Sequence, residues 1–176
     1  MLLIEKCAIP ANTLLASYSM SGAYADCYCS ELRGQVSFPE YVFAFYTTPL
    51  FKLERLILKW MVSKPSTNSQ ARQLAHGQVE MFAAWNVENR SENELLMCDI
   101  KGRTRSWLMA SPAGTVAYPE TRLYFGSAVV PVRNSNSRKP SIGFVFRALL
   151  GFHQLYSVLL LYSAGWHIQR QQGVSL

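Results

Sequence analysis

The run from Ser141 to Gln169 constrains the fold most, because it is apolar on nearly every side when drawn as a helix. Side chains at helical spacing predict one long helix. A helix that is apolar all round must be buried on more than one side, in a protein core or in a membrane. Its main stripe contains Ile142, Val145, Phe146, Leu149, Phe152, His153, Tyr156, Leu159, Leu160 and Ser163.

A protein core is the better explanation for this helix. Its uninterrupted apolar part, Leu155 to Trp166, is about a dozen residues long, whereas a membrane span needs about 20. Arg147, His153 and Gln154 also interrupt the preceding stretch. We therefore predict a buried helix and no transmembrane segment, with peripheral membrane contact as the weaker alternative.

Composition and charge narrow the possible partners and location. The chain has 176 residues, 49% of them hydrophobic and 16% charged, with a net charge of +6. Its basic residues are scattered, and no nucleic-acid motif is present, which argues against nucleic-acid binding. The N-terminus lacks the order of regions of a signal peptide. The spacing of its four cysteines matches no zinc or thioredoxin motif, so we expect free thiols, a cytoplasmic location, no metal and no cofactor.

The rest of the chain alternates between strand and helix patterns. Strands are predicted over Leu2–Ile9 and Ala23–Leu32, and helices over Ser37–Tyr46, where Ser37 and Glu40 form a capping box, and Leu50–Val62. Gln70–Ala75 adds a short helical piece. An antiparallel meander should follow, with strands over 79–88, 94–100 and 103–110, a hairpin at Lys101–Gly102, a turn at 111–114, and one or two strands within 115–132.

This order predicts an α+β domain with one antiparallel sheet. The sheet is expected to curve around the long C-terminal helix, with two or three short helices inserted after the second strand. We expect one domain over residues 1–170 and a flexible tail over 171–176.

The order of elements resembles the helix-grip architecture of the START and polyketide-cyclase-like superfamily. The segments that carry the resemblance are SFPEYVFAFYTTPLFKLERLILKWM, ELLMCDI-KG-RTRSWLMA, TRLYFGSAVVPV and FRALLGFHQLYSVLLLYSA. The chain is also similar to small bacterial members of unknown function. The resemblance implies a cavity between sheet and helix that holds an apolar ligand, and several members of the superfamily are cyclases or hydrolases.

Five residues are candidates for a ligand site. His153 and Tyr156 lie on the helix stripe, and Trp107 lies on a strand face, so we expect them to line an apolar cavity, with Arg105 or Arg122 at its polar end. Three of them also have a structural alternative: His153 as a hydrogen-bonded core residue, Arg105 at a solvated hairpin end, and Arg122 in an ion pair with Asp99 or Glu120.

Three functions remain open from the sequence. The first is binding of a small apolar molecule in the cavity. The second is a cyclase- or hydrolase-type enzyme that uses His153 with Arg105, Asp99 or Tyr124, and the third is a structural or interaction domain with a filled core. Few polar residues converge in the expected pocket, and no catalytic motif is present, so the first is favoured.

Overall fold

The computed structural model describes residues 2–52, 66–130 and 144–173, with side chains in the last range from Gln154 onwards. Seven strands form one open antiparallel sheet in the order β1-β2-β7-β6-β5-β4-β3. The strands are β1 (Glu5–Lys6), β2 (Tyr24–Arg33), β3 (Met81–Phe82), β4 (Trp85–Arg90), β5 (Glu94–Asp99), β6 (Thr104–Gly114) and β7 (Pro119–Val129). Labelled helices are α1 (Ala16–Met20), α2 (Phe38–Thr47), α3 (Asn68–Ala75) and α4 (Phe144–Gln171).

The fold is the predicted α+β arrangement of an antiparallel sheet packed against a long C-terminal helix, which is consistent with a helix-grip. Helix α4 packs against α2 and against strands β2 and β7, and α3 packs between α2 and β3. We call the sheet face that these helices cover the inner face. No helix within the described ranges has the length and apolarity that a membrane crossing requires.

Both faces of the sheet are apolar in the centre. The main core lies on the inner face, where Leu108, Leu123 and Phe125 of the strands meet Leu160 and Leu161 of α4. The opposite, outer face carries a smaller core around Leu15, Cys27, Leu96, Trp107, Met109 and Tyr124. The segment that leads into α1 packs on this face, so the central strands are buried on two sides.

Helix α2 begins where the sequence predicts. The side chain of Ser37 accepts from the backbone N–H of Glu40, and the Glu40 carboxylate accepts from the backbone N–H of Ser37 at 2.8 Å. Two orphan donors at the helix start are thereby satisfied. The hydroxyl of Tyr41 then donates to the carbonyl of Tyr124 at 2.9 Å, which fastens the buried side of the helix to β7.

A two-residue connection at Lys101–Gly102 predicts the register of the β5–β6 hairpin, and the structure has that register. Leu96 pairs with Trp107 and Cys98 with Arg105. The Asp99 carboxylate closes the connection by accepting from the backbone N–H groups of Arg103 and Thr104, at 2.6 and 2.8 Å.

The meander differs from the prediction in two places. The expected strand over 79–88 is two strands, because Ala83 has a φ of 52° and reverses the chain between β3 and β4. The turn expected at 111–114 lies at 115–118 instead, and β6 continues through Pro112. Proline is tolerated there because Glu94, the first residue of β5, pairs with Met109. The N–H side of residue 112 therefore has no neighbouring strand.

The beginning of the chain also differs from the prediction. The first strand is Glu5–Lys6 rather than Leu2–Ile9, and α1 lies within residues 11–21, where the sequence pattern predicts no clear element. Residues 49–52 are helical, and the remainder of the predicted helix over Leu50–Val62 lies outside the described residues, as does the start of the predicted C-terminal helix at Ser141.

Candidate functional site

A cavity of about 210 Å³ lies between the inner face of the sheet and α4. It is bordered by α2 and the chain that follows it, by strands β4, β6 and β7, and by α4. The lining residues are Phe45, Tyr46, Phe51, Trp85, Thr104, Arg105, Ser106, Phe125, Ser127, Tyr156 and Leu160.

Aromatic rings that pack on one another form one wall of the cavity. The ring of Phe45 lies 4.9 Å from that of Phe125 and 5.2 Å from that of Tyr46, measured between centroids. Tyr46 in turn meets Phe51 edge to face at 4.8 Å. Edge-to-face and tilted contacts at these distances are favourable beyond the area that the rings bury. The wall is therefore a preformed apolar surface of the kind that small-molecule sites use.

Hydroxyl groups border the cavity on the sheet side. Ser106 and Ser127 lie opposite each other on β6 and β7, and both are largely buried. Strand β2 places Asp26 opposite Ser127 on the other side, and the Ser127 hydroxyl donates to the Asp26 carboxylate at 2.6 Å. The cavity thus has a polar edge of two serines, backed by a carboxylate.

The Asp26 carboxylate is only 3% exposed, so its hydrogen bonds determine whether it is tolerated. Besides Ser127, the Tyr24 hydroxyl donates to it at 3.3 Å, and Gln154 of α4 donates to that hydroxyl at 3.0 Å. Burial raises the pKa of Tyr24, and the neighbouring carboxylate adds to the rise. The tyrosine therefore stays protonated at neutral pH and links the helix to the polar edge.

Two of the five predicted site residues belong to α4. Tyr156 borders the cavity from the helix, across the cavity from the sheet, as its place on the helix stripe predicts. His153 lies within the helix, but its side chain is outside the described residues.

Trp107 lies on the outer face, on the side of the sheet away from α4 and the cavity. Its ring is fully buried beside Tyr124, and its indole N–H donates to the Glu94 carboxylate at 2.8 Å. The same carboxylate oxygen accepts from the backbone N–H of Leu14 at 2.8 Å. Because side chains alternate along β6, the cavity is lined by Ser106 and not by its neighbour Trp107, which the sequence predicts there.

Arg105 borders the cavity, but its guanidinium is bound on the outer face. The group lies over the ring of Tyr18 and makes an ion pair of 2.9 Å with Glu88. It also donates to the Tyr18 hydroxyl at 3.0 Å. These bonds hold the charge away from the cavity.

Arg122 likewise lies on the outer face, where it forms an ion pair with Glu31, directly across from it on β2. The hydrogen bond to Glu31 is the largest cause of a raised pKa of Arg122. The expected structural ion pair is therefore present, with Glu31 as the partner in place of Asp99 or Glu120. Ligand binding by the five predicted residues stays a prediction. The Trp107 ring and the guanidinium groups of Arg105 and Arg122 lie on the outer face of the sheet, away from the cavity.

The polar cavity residues Ser106 and Ser127, and Asp26 behind them, are not among the site residues that the sequence predicts. They lie on strands that also place large apolar side chains, such as Leu32, Leu108 and Phe125, on the inner face. A polar residue at an inward position of an otherwise apolar strand is a usable signal, but it can be read only once the inward face is known. Phe45 and Phe51 were assigned to helices without a partner surface.

A larger and more open groove of about 920 Å³ lies at the other end of the sheet, between the start of α2 and the β6–β7 hairpin. Glu40, Glu92 and Glu120 are its charged residues. Ser37 and Glu40 are already engaged in the capping box, and residues of the β6–β7 hairpin form much of the wall. The groove lacks the aromatic wall of the inner cavity.

The described side chains contain no group of three or more histidine, cysteine, aspartate or glutamate residues that could hold a metal ion. The enzyme hypothesis pairs His153, whose side chain lies outside the described residues, with Arg105, Asp99 or Tyr124. Of these partners, Tyr124 lies on the outer face, the Arg105 guanidinium is bound there, and Asp99 closes the β5–β6 hairpin. Comparison with protein-family models gives no match, and comparison with curated proteins gives no relative.

Proposed function

We propose that this protein binds a compact, largely aromatic small molecule in the cavity between the sheet and α4. The observation that carries the proposal is the combination of aromatic rings packed on one another on one side with the Ser106 and Ser127 hydroxyls on the other. A mostly apolar wall with a few placed polar groups is typical of sites that select and orient a small ligand. The same arrangement supports a relationship to the START and polyketide-cyclase-like superfamily.

The volume sets the size of the ligand. An apolar cavity of about 150 Å³ accommodates benzene. At about 210 Å³ the cavity has room for a molecule of one or two fused rings, and a sterol or a long acyl chain would exceed it.

The polar edge sets the chemistry of the ligand. A ring N–H or O–H can donate to the hydroxyl oxygen of Ser106 or of Ser127, and the Ser127 hydroxyl itself donates to Asp26. Such a bond contributes about 0.5–1.5 kcal/mol, so indole should bind several-fold more tightly than naphthalene, which has a similar shape and no donor.

The proposal is tested by titrating the full chain with indole and with naphthalene, using ligand-observed NMR. Ser106→Ile fills the cavity from the sheet side, and should weaken indole binding at least about tenfold, or about 1.4 kcal/mol. The matched control is Ser111→Ile, the same change on the same strand but on the outer face. Native mass spectrometry of the purified protein would show a co-purified ligand directly.

Equal indole affinity in the two serine variants would contradict the proposal, since the cavity could then not be the binding site. So would the absence of binding by either probe together with the absence of any co-purified small molecule. In that case the third hypothesis, a domain with a structural or interaction role, would be favoured.

A further inference from the structure

Three of the four cysteines lie together on the outer face of the sheet, away from the cavity. Cys27 and Cys29 are on β2, and Cys7 follows β1 at the edge of the sheet. The sulfur atoms of Cys7 and Cys27 are 3.4 Å apart and share a hydrogen bond. All three thiols are free.

The backbone places Cys7 and Cys27 as a directly opposed pair. The register of β1 and β2 runs Glu5 to Cys29 and Lys6 to Tyr28, and the backbone N–H of Cys7 donates to the carbonyl of Cys27 at 3.0 Å. Opposed residues in a hydrogen-bonded antiparallel pair have Cα atoms about 5.5 Å apart. A disulfide needs a Cα separation of about 4.4–6.8 Å, so the two thiols can join without a change of strand register.

The two sulfurs differ in access and in charge. Cys7 is half-buried, whereas Cys27 is 1% exposed beneath it. The hydrogen bond with Cys27 lowers the pKa of Cys7 to about 7, and Cys29 and the nearby Arg122 add to this effect, while burial and Glu5 oppose it. Thus Cys7, the more accessible thiol, also has the greater thiolate fraction, and its partner Cys27 is buried.

We propose that Cys7 is a peroxide-reactive thiol that forms an intramolecular disulfide with Cys27. The required oxidant is hydrogen peroxide or an organic hydroperoxide. The inference does not depend on the proposed ligand site, which lies on the other face of the sheet.

The chemistry proceeds in two balanced steps. The Cys7 thiolate attacks the hydroxyl oxygen of the peroxide, an S–O bond forms, the O–O bond breaks, and hydroxide leaves from hydrogen peroxide or alkoxide from an organic hydroperoxide. The Cys27 sulfur then attacks the sulfenic sulfur of Cys7; the S–S bond forms, the S–O bond breaks, and the oxygen leaves as water with the Cys27 proton. Two electrons pass from the two thiols to the peroxide.

Cys98 provides an internal control for this reaction. It lies on β5, several strands from the cluster, and its sulfur donates to the Asp99 carbonyl at 3.3 Å. Burial raises the pKa of Cys98, so its thiolate fraction at neutral pH is small. Cys7 should therefore be oxidised about tenfold faster than Cys98, because the thiolate is the reactive form.

The experiment treats the reduced full chain with one equivalent of hydrogen peroxide and alkylates the remaining thiols at timed intervals. Intact mass then reports how many thiols are lost, and digestion locates the link. Trypsin leaves Cys7, Cys27 and Cys29 in one fragment, residues 7–33, so a protease that cuts after aromatic residues is needed; cleavage after Tyr28 separates Cys27 from Cys29.

We expect a Cys7–Cys27 link in the parent chain, in Cys29→Ser and in Cys98→Ser, and its loss in Cys7→Ser and Cys27→Ser. Because Cys7 is only half-buried, Cys7→Ser should fold. The loss of the link can therefore be measured in this variant even if Cys27→Ser, at a buried position, does not fold. In a folded Cys27→Ser protein, the Cys7 sulfenic acid should persist and react with dimedone. Oxidation of Cys98 at an equal rate, a link between Cys7 and Cys29, or loss of Cys7 without a link would each overturn the proposal.

Discussion

Single residues on β6 and β5 decide how the outer face is closed. The buried carboxylate of Glu94 accepts from the indole of Trp107 and from the backbone of Leu14, so one side chain joins β5, β6 and the segment before α1. A charged group at 8% exposure is stable there because two donors replace water. This arrangement assigns Trp107 a packing and hydrogen-bonding role.

Replacing Trp107 by Phe tests that role. The change keeps an aromatic ring but removes the N–H that satisfies Glu94, and it leaves space beside Tyr124. We expect the free energy of unfolding to fall by about 1–3 kcal/mol, because a buried acceptor loses a donor. Urea unfolding measures the loss.

The same variant separates the two faces of the sheet. Because the Trp107 ring lies away from the cavity, the affinity of Trp107→Phe for indole should stay within about twofold of that of the parent chain. This is less than the tenfold change that about 1.4 kcal/mol represents. A protein of unchanged stability with much weaker indole binding would place Trp107 in the ligand site, as the sequence alone predicts.

Helix α2 shows how an element is fixed at its start. The capping box of Ser37 and Glu40 sets where the helix begins, and Val36 just before it donates from its backbone to the hydroxyl of Thr121 on β7 at 2.9 Å. That hydroxyl also donates to the carbonyl of Gly34 at 2.9 Å. The start of the helix, and with it the position of Phe45 in the cavity wall, is therefore tied to the sheet.

Ser37→Ala should cost about 1 kcal/mol of stability, the usual loss for an N-cap hydroxyl. The bonds from Ser37 lower the pKa of Glu40, so the contribution of the carboxylate is present above its ordinary pKa and is lost as the pH falls through the lowered value. Thermal unfolding at neutral pH and at pH values below the ordinary pKa of glutamate measures both effects.

Ser69→Ala is a suitable control, since residue 69 is exposed in the first turn of α3 and the cap of that helix is Thr67. If Ser37→Ala and Ser69→Ala lowered stability equally, the capping box would not be what fixes α2. If the difference in stability between the parent chain and Ser37→Ala did not become smaller in acid, the Glu40 carboxylate would not contribute to the cap.

At the scale of the whole molecule, α4 completes the main core. Leu160, Leu161, Ala164 and Ile168 are buried in it against α2 and the sheet. Gly165 allows a close approach on the same helix, because a Cβ there would lie 2.6 Å from the side chain of Leu2. The helix thus connects the two ends of the chain.

Truncation before Phe144 should abolish soluble, cooperative folding. Each large apolar side chain that loses its burial removes about 1.5–3 kcal/mol. Several such losses exceed a total stability of about 5–15 kcal/mol. Circular dichroism and urea unfolding of the truncated chain measure the result, and a soluble product with a cooperative transition would refute the prediction.

Much of the local structure follows from the sequence. Ser37 and Glu40 predict the start of α2, and the polar tip at Lys101–Gly102 between two apolar runs predicts the register in which Leu96 pairs with Trp107. These features are local: a cap depends on residues three positions apart, and a hairpin register on the turn that closes it. The long apolar run near the C-terminus likewise requires burial, and so predicts a helix against a sheet.

Which face of the sheet meets the helix was decided only by the tertiary structure. Alternation on β6 separates Arg105, Trp107 and Met109 from Ser106, Leu108 and Ala110, but both sets contain large apolar residues, because both faces of the central strands are buried. The sequence therefore predicts a cavity, but not that Ser106 faces it while Trp107 and Arg105 face away. That choice depends on the segment around α1 packing on one side and α4 on the other, and these contacts join residues far apart in the sequence, such as Leu14 with Glu94 and Gln154 with Tyr24.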